Sequence, residues 1–144
     1  MKANLGFYIQ KINDVVTETE QVGESMNPYF VEVRTALDAN DAENLTKEKL
    51  AEVQVNFKEG TAKYETMLKT IRSLKAPAKV MGIHKKLEKG YDAYVSACND
   101  MVQAIDVETG VVDQELFDAS EVKQDETTNT IAFCIQRMTS LLMK

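Results

Sequence analysis

The sequence predicts an all-α fold, an up-down-up-down antiparallel four-helix bundle whose first helix is kinked at Pro28. Three observations predict it. Apolar residues recur at alternating steps of three and four over long stretches, the spacing of one helical face. Only two prolines and six glycines occur in 144 residues, so long helices meet few interruptions. Polar links with cap residues divide the chain into four segments of similar length, and short links favour antiparallel neighbours. The length suits one domain spanning 1–144. A composition 44% hydrophobic and 28% charged is that of a globular chain.

The first stripe reads Leu5, Ile9, Ile12, Val16, Thr19, Gly23, Met26, Phe30, Val33 and Leu37, and predicts a helix over about 4–38. Pro28 interrupts it, yet the stripe keeps register on both sides. A kinked continuous helix fits that better than two helices and a turn. Residues 39–45 form a polar connection. Thr46 then reads as an N-cap, with Leu45 and Leu50 as the apolar pair that staples the chain at the helix start. The second stripe is Leu50, Val53, Phe57, Gly60, Tyr64, Met67, Ile71 and Leu74, and Pro77 marks its end.

The third helix is expected over about 78–108, on Val80, His84, Leu87, Tyr91, Tyr94, Cys98, Met101 and Ile105, with Gly110 just past its end. Asp113 reads as the next N-cap, with Val112 and Phe117 as a second staple pair. The fourth helix is expected over about 114–143, strongest at Ile131, Cys134, Ile135, Met138, Leu141 and Leu142. From Ala119 to Asn129 the inward register holds Ser120, Gln124, Thr127 and Thr128. A long loop before a shorter last helix is the alternative there.

The net charge of −6 gives no global attraction to nucleic acid or to an anionic membrane. Two cysteines are too few for a disulfide framework, and one histidine leaves a zinc or di-iron site without ligands. No Gly-rich phosphate loop or calcium-loop spacing occurs, so no cofactor is expected. The apolar run at the N-terminus is short and broken by Gln10 and Lys11, and no segment approaches the ~20 apolar residues of a membrane span. The expected location is the cytoplasm. The alternative is an extracytoplasmic domain of a secreted or lipid-anchored protein whose leader is missing.

Two features are candidates for function. Between Lys63 and Lys89 stand eight basic and two acidic residues, a net of +6, whereas Asp100 to Glu126 carries nine acidic residues and one lysine, a net of −8. The bundle should therefore have a basic and an acidic end. Arg72, Lys75, Lys79, Lys85 and Lys86 form a candidate corner for an anion or an acidic partner. The plainer account is a solvated charged end. The second candidate is a mid-bundle layer in which Gly23, Gly60 and Gly90 face Tyr64, Tyr91 and Tyr94. Either the tyrosines fill the space the glycines leave, which close packing favours, or a ligand pocket lies there. Gln124, Thr127 or Thr128 would then satisfy the buried hydroxyls.

Among single residues, His84 reads first as a hydrogen-bonded core histidine. Cys134 on the fourth helix is the one nucleophile whose height matches it, and a Cys–His pair is the one catalytic geometry the register allows. Met26, Met67, Met101 and Met138 read as core filling.

Leu74-Lys75-Ala76-Pro77-Ala78-Lys79, followed by Ile83-His84, Leu87 and Tyr91, resembles a pattern in uncharacterised helical-bundle proteins of Gram-positive bacteria. There a proline opens a helix whose second turn carries a histidine. The resemblance covers about twenty residues and implies a bundle of bacterial origin with no assigned activity. Many of those proteins are cell-surface lipoproteins. The expected function is a non-enzymatic module for binding another protein or for self-association. A small-ligand carrier or sensor with a pocket at Tyr64, Tyr91 and Tyr94 is the second reading.

Overall fold

A computed structural model describes residues 4–143. Four helices make up the fold: α1 (Leu5–Asp38), α2 (Lys47–Ser73), α3 (Met81–Gln103) and α4 (Gln114–Leu142). Met1, Lys2, Ala3 and Lys144, which the expected domain includes, lie outside the described residues.

The helix starts follow the side-chain chemistry of the caps. Asn4, Thr46 and Asp113 each accept a hydrogen bond from the backbone N–H three residues on, at 3.0 Å, which satisfies a donor that the first turn leaves free. α1 runs unbroken through Pro28. α2 and α3 are joined through a 3₁₀ turn over Ala78–Val80, in which the Val80 N–H donates to the Pro77 carbonyl.

Two expected boundaries change. α3 stops at Gln103 rather than near 108, because Ile105–Asp106 (β1) pairs antiparallel with Val111–Val112 (β2). Gly110, expected just after a helix, instead closes this hairpin at φ +71. The Asp106 carboxylate accepts the Thr109 N–H across the turn, and that bond holds it below the usual carboxylate range. The second change is at 119–129, where α4 is continuous. The Ser120, Thr127 and Thr128 hydroxyls donate to carbonyls three or four residues back, so they need no partner across the bundle.

Cross-helix contacts show each successive pair to be antiparallel. Lys49 meets Glu32 and Asn56 meets the Ser25 carbonyl between α1 and α2. Arg72 meets Glu88 and Glu65 meets Asn99 between α2 and α3, and Lys86 lies over the Phe133 ring and Ser96 meets Lys123 between α3 and α4. The core divides into two clusters. One contains Tyr8, Ile12, Tyr64, Ile71, Leu87, Tyr91 and Met138, near the start of α1 and the end of α4. The other contains Val33, Leu50, Val53, Phe57, Met101 and Phe117, at the hairpin end. Met26 packs against both.

The stripe of α1 is rotated by one residue in its first half. Tyr8, Val15 and Val22 are buried, whereas Leu5 is 47% exposed and Ile9 36% exposed. Tyr8 decides this, because its hydroxyl reaches His84 at 2.7 Å in the interior. The apolar arc of α1 is thus wider than the core it covers, and its edge faces α4. There the bundle is open: α3 and α4 pack closely along their length, but the backbones of α1 and α4 stay apart almost throughout.

Candidate functional site

The α1–α4 seam is bridged near both ends. Near the start of α1 the Tyr8 hydroxyl lies 3.3 Å from the Met138 sulfur. Near its end, Arg34 donates to Asp118 at 2.9 Å and to Glu121 on α4, and to Asp38 at 3.2 Å on its own helix. Residues 8 and 34 are ~39 Å apart along a helix at about 1.5 Å per residue. Along the seam, three depressions of about 190, 360 and 190 Å³ follow one another, the first around the Tyr8–Met138 contact. The first lies among Ile9, Ile12, Met138 and Leu142, and the second among Val16, Tyr91, Ile131, Ala132 and Ile135. Both have apolar floors. The third is a cleft where the two core clusters meet. Phe30, Phe57, Tyr64 and Tyr94 line it together with Glu121 and Asp125.

The tyrosine layer expected from the sequence is assembled. The rings of Tyr64 and Tyr94 are 5.0 Å apart and those of Tyr91 and Tyr94 6.1 Å, all edge to face. Burial pushes the three phenols above their ordinary value of 10.0. The glycines make room, but for different neighbours. A methyl group on Gly23 would sit 3.6 Å from the Tyr64 hydroxyl, one on Gly60 would meet the Met26 sulfur at 2.3 Å, and one on Gly90 would press on Thr130. The expected hydroxyl partners are not used. Tyr91 pairs with Thr19 at 2.7 Å, Gln124 turns to the Met101 sulfur, and Thr127 and Thr128 bond to their own helix. The Tyr91 hydroxyl is thus satisfied by Thr19, and the layer borders a depression on each side, one at Thr19 and Tyr91 and one at Tyr64 and Tyr94.

The basic corner does not converge on one site. Arg72 faces Glu88 and Asp92 at 4.0 and 3.6 Å across the α2–α3 seam. Lys86 caps the Phe133 ring at 4.9 Å on the α3–α4 side. Lys75 borders a depression with Asn4, Lys11 and Thr70 on the α1–α2 side, and Lys79 and Lys85 are exposed. Arg72, Lys75 and Lys86 thus lie at three different seams.

His84 is used inside the fold. Its Nε2–H faces the Ile71 carbonyl at 3.0 Å, and its Nδ1 is paired with the Tyr8 hydroxyl at 2.7 Å. Neither nitrogen is left to activate Cys134, and no Cys–His pair forms. Cys98 and Cys134 are free and buried, and burial raises both thiols. Among the described residues no cluster of metal-ligating side chains occurs, and no helix is long and apolar enough to cross a membrane.

The acids of the cleft were not singled out by sequence reasoning. The sequence did carry one sign of the seam. α1 and α4 each have a second apolar row beside the buried one, Ile9 and Val16 on the first, Ile131 and Ile135 on the second. Compared with family models, curated proteins and solved structures, the chain matches none.

Proposed function

We propose that this bundle is a non-enzymatic interaction module whose α1–α4 seam receives an amphipathic helix of another protein. The observation that carries the reading is the apolar floor left uncovered between two helices that are tied together at both ends. Ile9, Val16, Ile131 and Ile135 are partly exposed there, where a closed bundle would bury them. A groove of this form is read by apolar anchors one helical turn apart. A second copy fits less well. In a twofold dimer, seam on seam, a parallel arrangement sets acid on acid, and an antiparallel one sets Glu121 and Asp125 against the apolar half.

The test is methyl-labelled NMR of Ile131 and Ile135 during titration with a designed amphipathic helix of about 18 residues, long enough to fold readily. Saturable shifts confined to the seam are expected, and Ile135→Glu should remove them. Shifts spread over all four helices, or none, would refute the seam as an interface.

The second reading is a small-ligand carrier, and the 190 Å³ cleft at Tyr64 and Tyr94 favours it. Native mass spectrometry of protein purified from its own source should then show a small mass that denaturation removes.

A further inference from the structure

We infer that the cleft between α1 and α4 at Tyr64 and Tyr94 is a binding site for an ammonium group. The inference rests on the reading of that cleft as a ligand site and adds the chemistry of the ligand. Aromatic rings from three helices border the cleft: Phe30 and Tyr94 are partly exposed, and Phe57 and Tyr64 are buried. An aromatic face attracts a cation by its quadrupole, by about 0.5–2 kcal/mol according to solvation. Glu121 and Asp125 stand at the same cleft, and no lysine or arginine lines it.

The surrounding charge has the same sign. Arg34 is the cation that serves this end of the seam, and it is shared by three carboxylates, Asp38, Asp118 and Glu121. Burial alone would lower its pKa, but the bonds to those carboxylates raise it, so it stays charged and engaged. Its guanidinium also lies 5.0 Å from the Phe117 ring, which stacks on Phe30 at 5.7 Å. One positive charge against three leaves a net of two negative charges, and Asp125 has no ion-pair partner among the described residues. An anionic ligand is repelled from such a site, and a neutral donor gains a hydrogen bond from the acids but not the attraction between opposite charges.

Size agrees. The cleft holds about 190 Å³, well above the ~30 Å³ share of one water molecule. A primary ammonium with its carbon stem, or a trimethylammonium head, fits in that space. Two sources supply this chemistry. One is a free amine or quaternary ammonium compound. The other is a lysine on the helix seated in the seam, whose apolar stretch would lie over Val16 and Ile135 while its lysine enters the cleft.

The experiment is a titration of the whole chain, methyl-labelled at methionine, with Met26 and Met101 at the cleft as reporters. The probes are choline, its neutral isostere 3,3-dimethyl-1-butanol, and Nα-acetyl-lysine amide. Choline or the lysine amide should shift both methyls saturably and bind about tenfold tighter than the neutral isostere. Asp125→Asn, at an exposed position, should weaken the cation about fivefold and leave the isostere unchanged. Asn27→Trp, also exposed, should block all probes by filling the mouth. Preference for choline identifies a quaternary ammonium ligand. Preference for the lysine amide, with competition by a lysine-bearing helix, identifies the partner's side chain. Equal binding of choline and the isostere would keep the cleft as a ligand site and overturn the ammonium. Failure of every probe would overturn both.

Discussion

A methyl group added at Gly60 would lie 2.3 Å from the Met26 sulfur and 2.9 Å from its Cγ, so the thioether would have to leave the junction of the two core clusters. At Gly82, in the first turn of α3, nothing lies within 4 Å. The same substitution should therefore have opposite signs. Gly82→Ala should stabilise by about 0.5–1 kcal/mol from helix propensity alone. Gly60→Ala should destabilise by about 1–3 kcal/mol through overpacking. Denaturant midpoints of the two variants check this, and a stabilised Gly60→Ala would mean that Met26 moves freely. The buried acids of the core make a second prediction at this scale. Burial raises the Tyr8 phenol from 10.0 to about 12 and the Cys98 thiol from 9.0 to about 12. Below pH 9 both states keep these protons, and the stability they support is fully present. As pH rises from 9 to 12 the unfolded chain releases protons that the folded chain holds, so stability falls. Denaturation curves should coincide from about pH 7 to 8.5 and shift to lower midpoints by about pH 11, less so in Cys98→Ala.

Among the elements, α1 carries a proline in its interior because the face it presents at Pro28 is exposed. The missing N–H removes one backbone bond, and the ring crowds the preceding turn. Pro28→Ala should raise stability by about 1–3 kcal/mol without changing the helix boundaries. Calorimetry measures the gain. A loss would show that the proline shapes α1 to the core. α4 shows how a weak pattern still makes a helix. From 119 to 129 its side chains offer little to the core, yet the Asp113 cap and the tight packing of α3 along α4 carry it through. The sequence pattern alone left helix and loop both open there, since hydroxyls that bond to their own backbone look the same in either. The end of α3 departs from its sequence pattern for the opposite reason. Ile105 continues the helical period, but β-branched residues flanking a turn with Gly110 at positive φ also make a hairpin, and pairing with Val112 decided between them.

In the whole molecule, Arg34 joins α1 to α4 where their backbones do not meet. Its three carboxylates come from two helices, and its side chain is 21% exposed. Arg34→Met should cost about 1–3 kcal/mol, leave Asp118 and Glu121 facing each other, and widen the seam. Hydrogen exchange should then quicken in the second half of α1 and the first half of α4, with α2 and α3 unchanged. Uniform quickening would mean that the pair holds the fold rather than the seam.

The sequence by itself determined the helices. Cap chemistry at Thr46 and Asp113, the stripe that passes through Pro28, and the sparse prolines and glycines act within a few residues of each other, so they are legible along the chain. It also brought Tyr64, Tyr91 and Tyr94 to one layer, because antiparallel helices of known length fix relative height. Rotation about each helix axis is a different matter. The stripe of α1 is broad enough to face inward at Ile9 or at Tyr8, and only the Tyr8–His84 bond across the core chose between them. The spacing of α1 from α4 depends on how four helices share their apolar surface. Consequently the open seam, the dispersal of the basic corner and the cleft with its acids exist only in the assembled bundle, where side chains far apart in sequence compete for the same space.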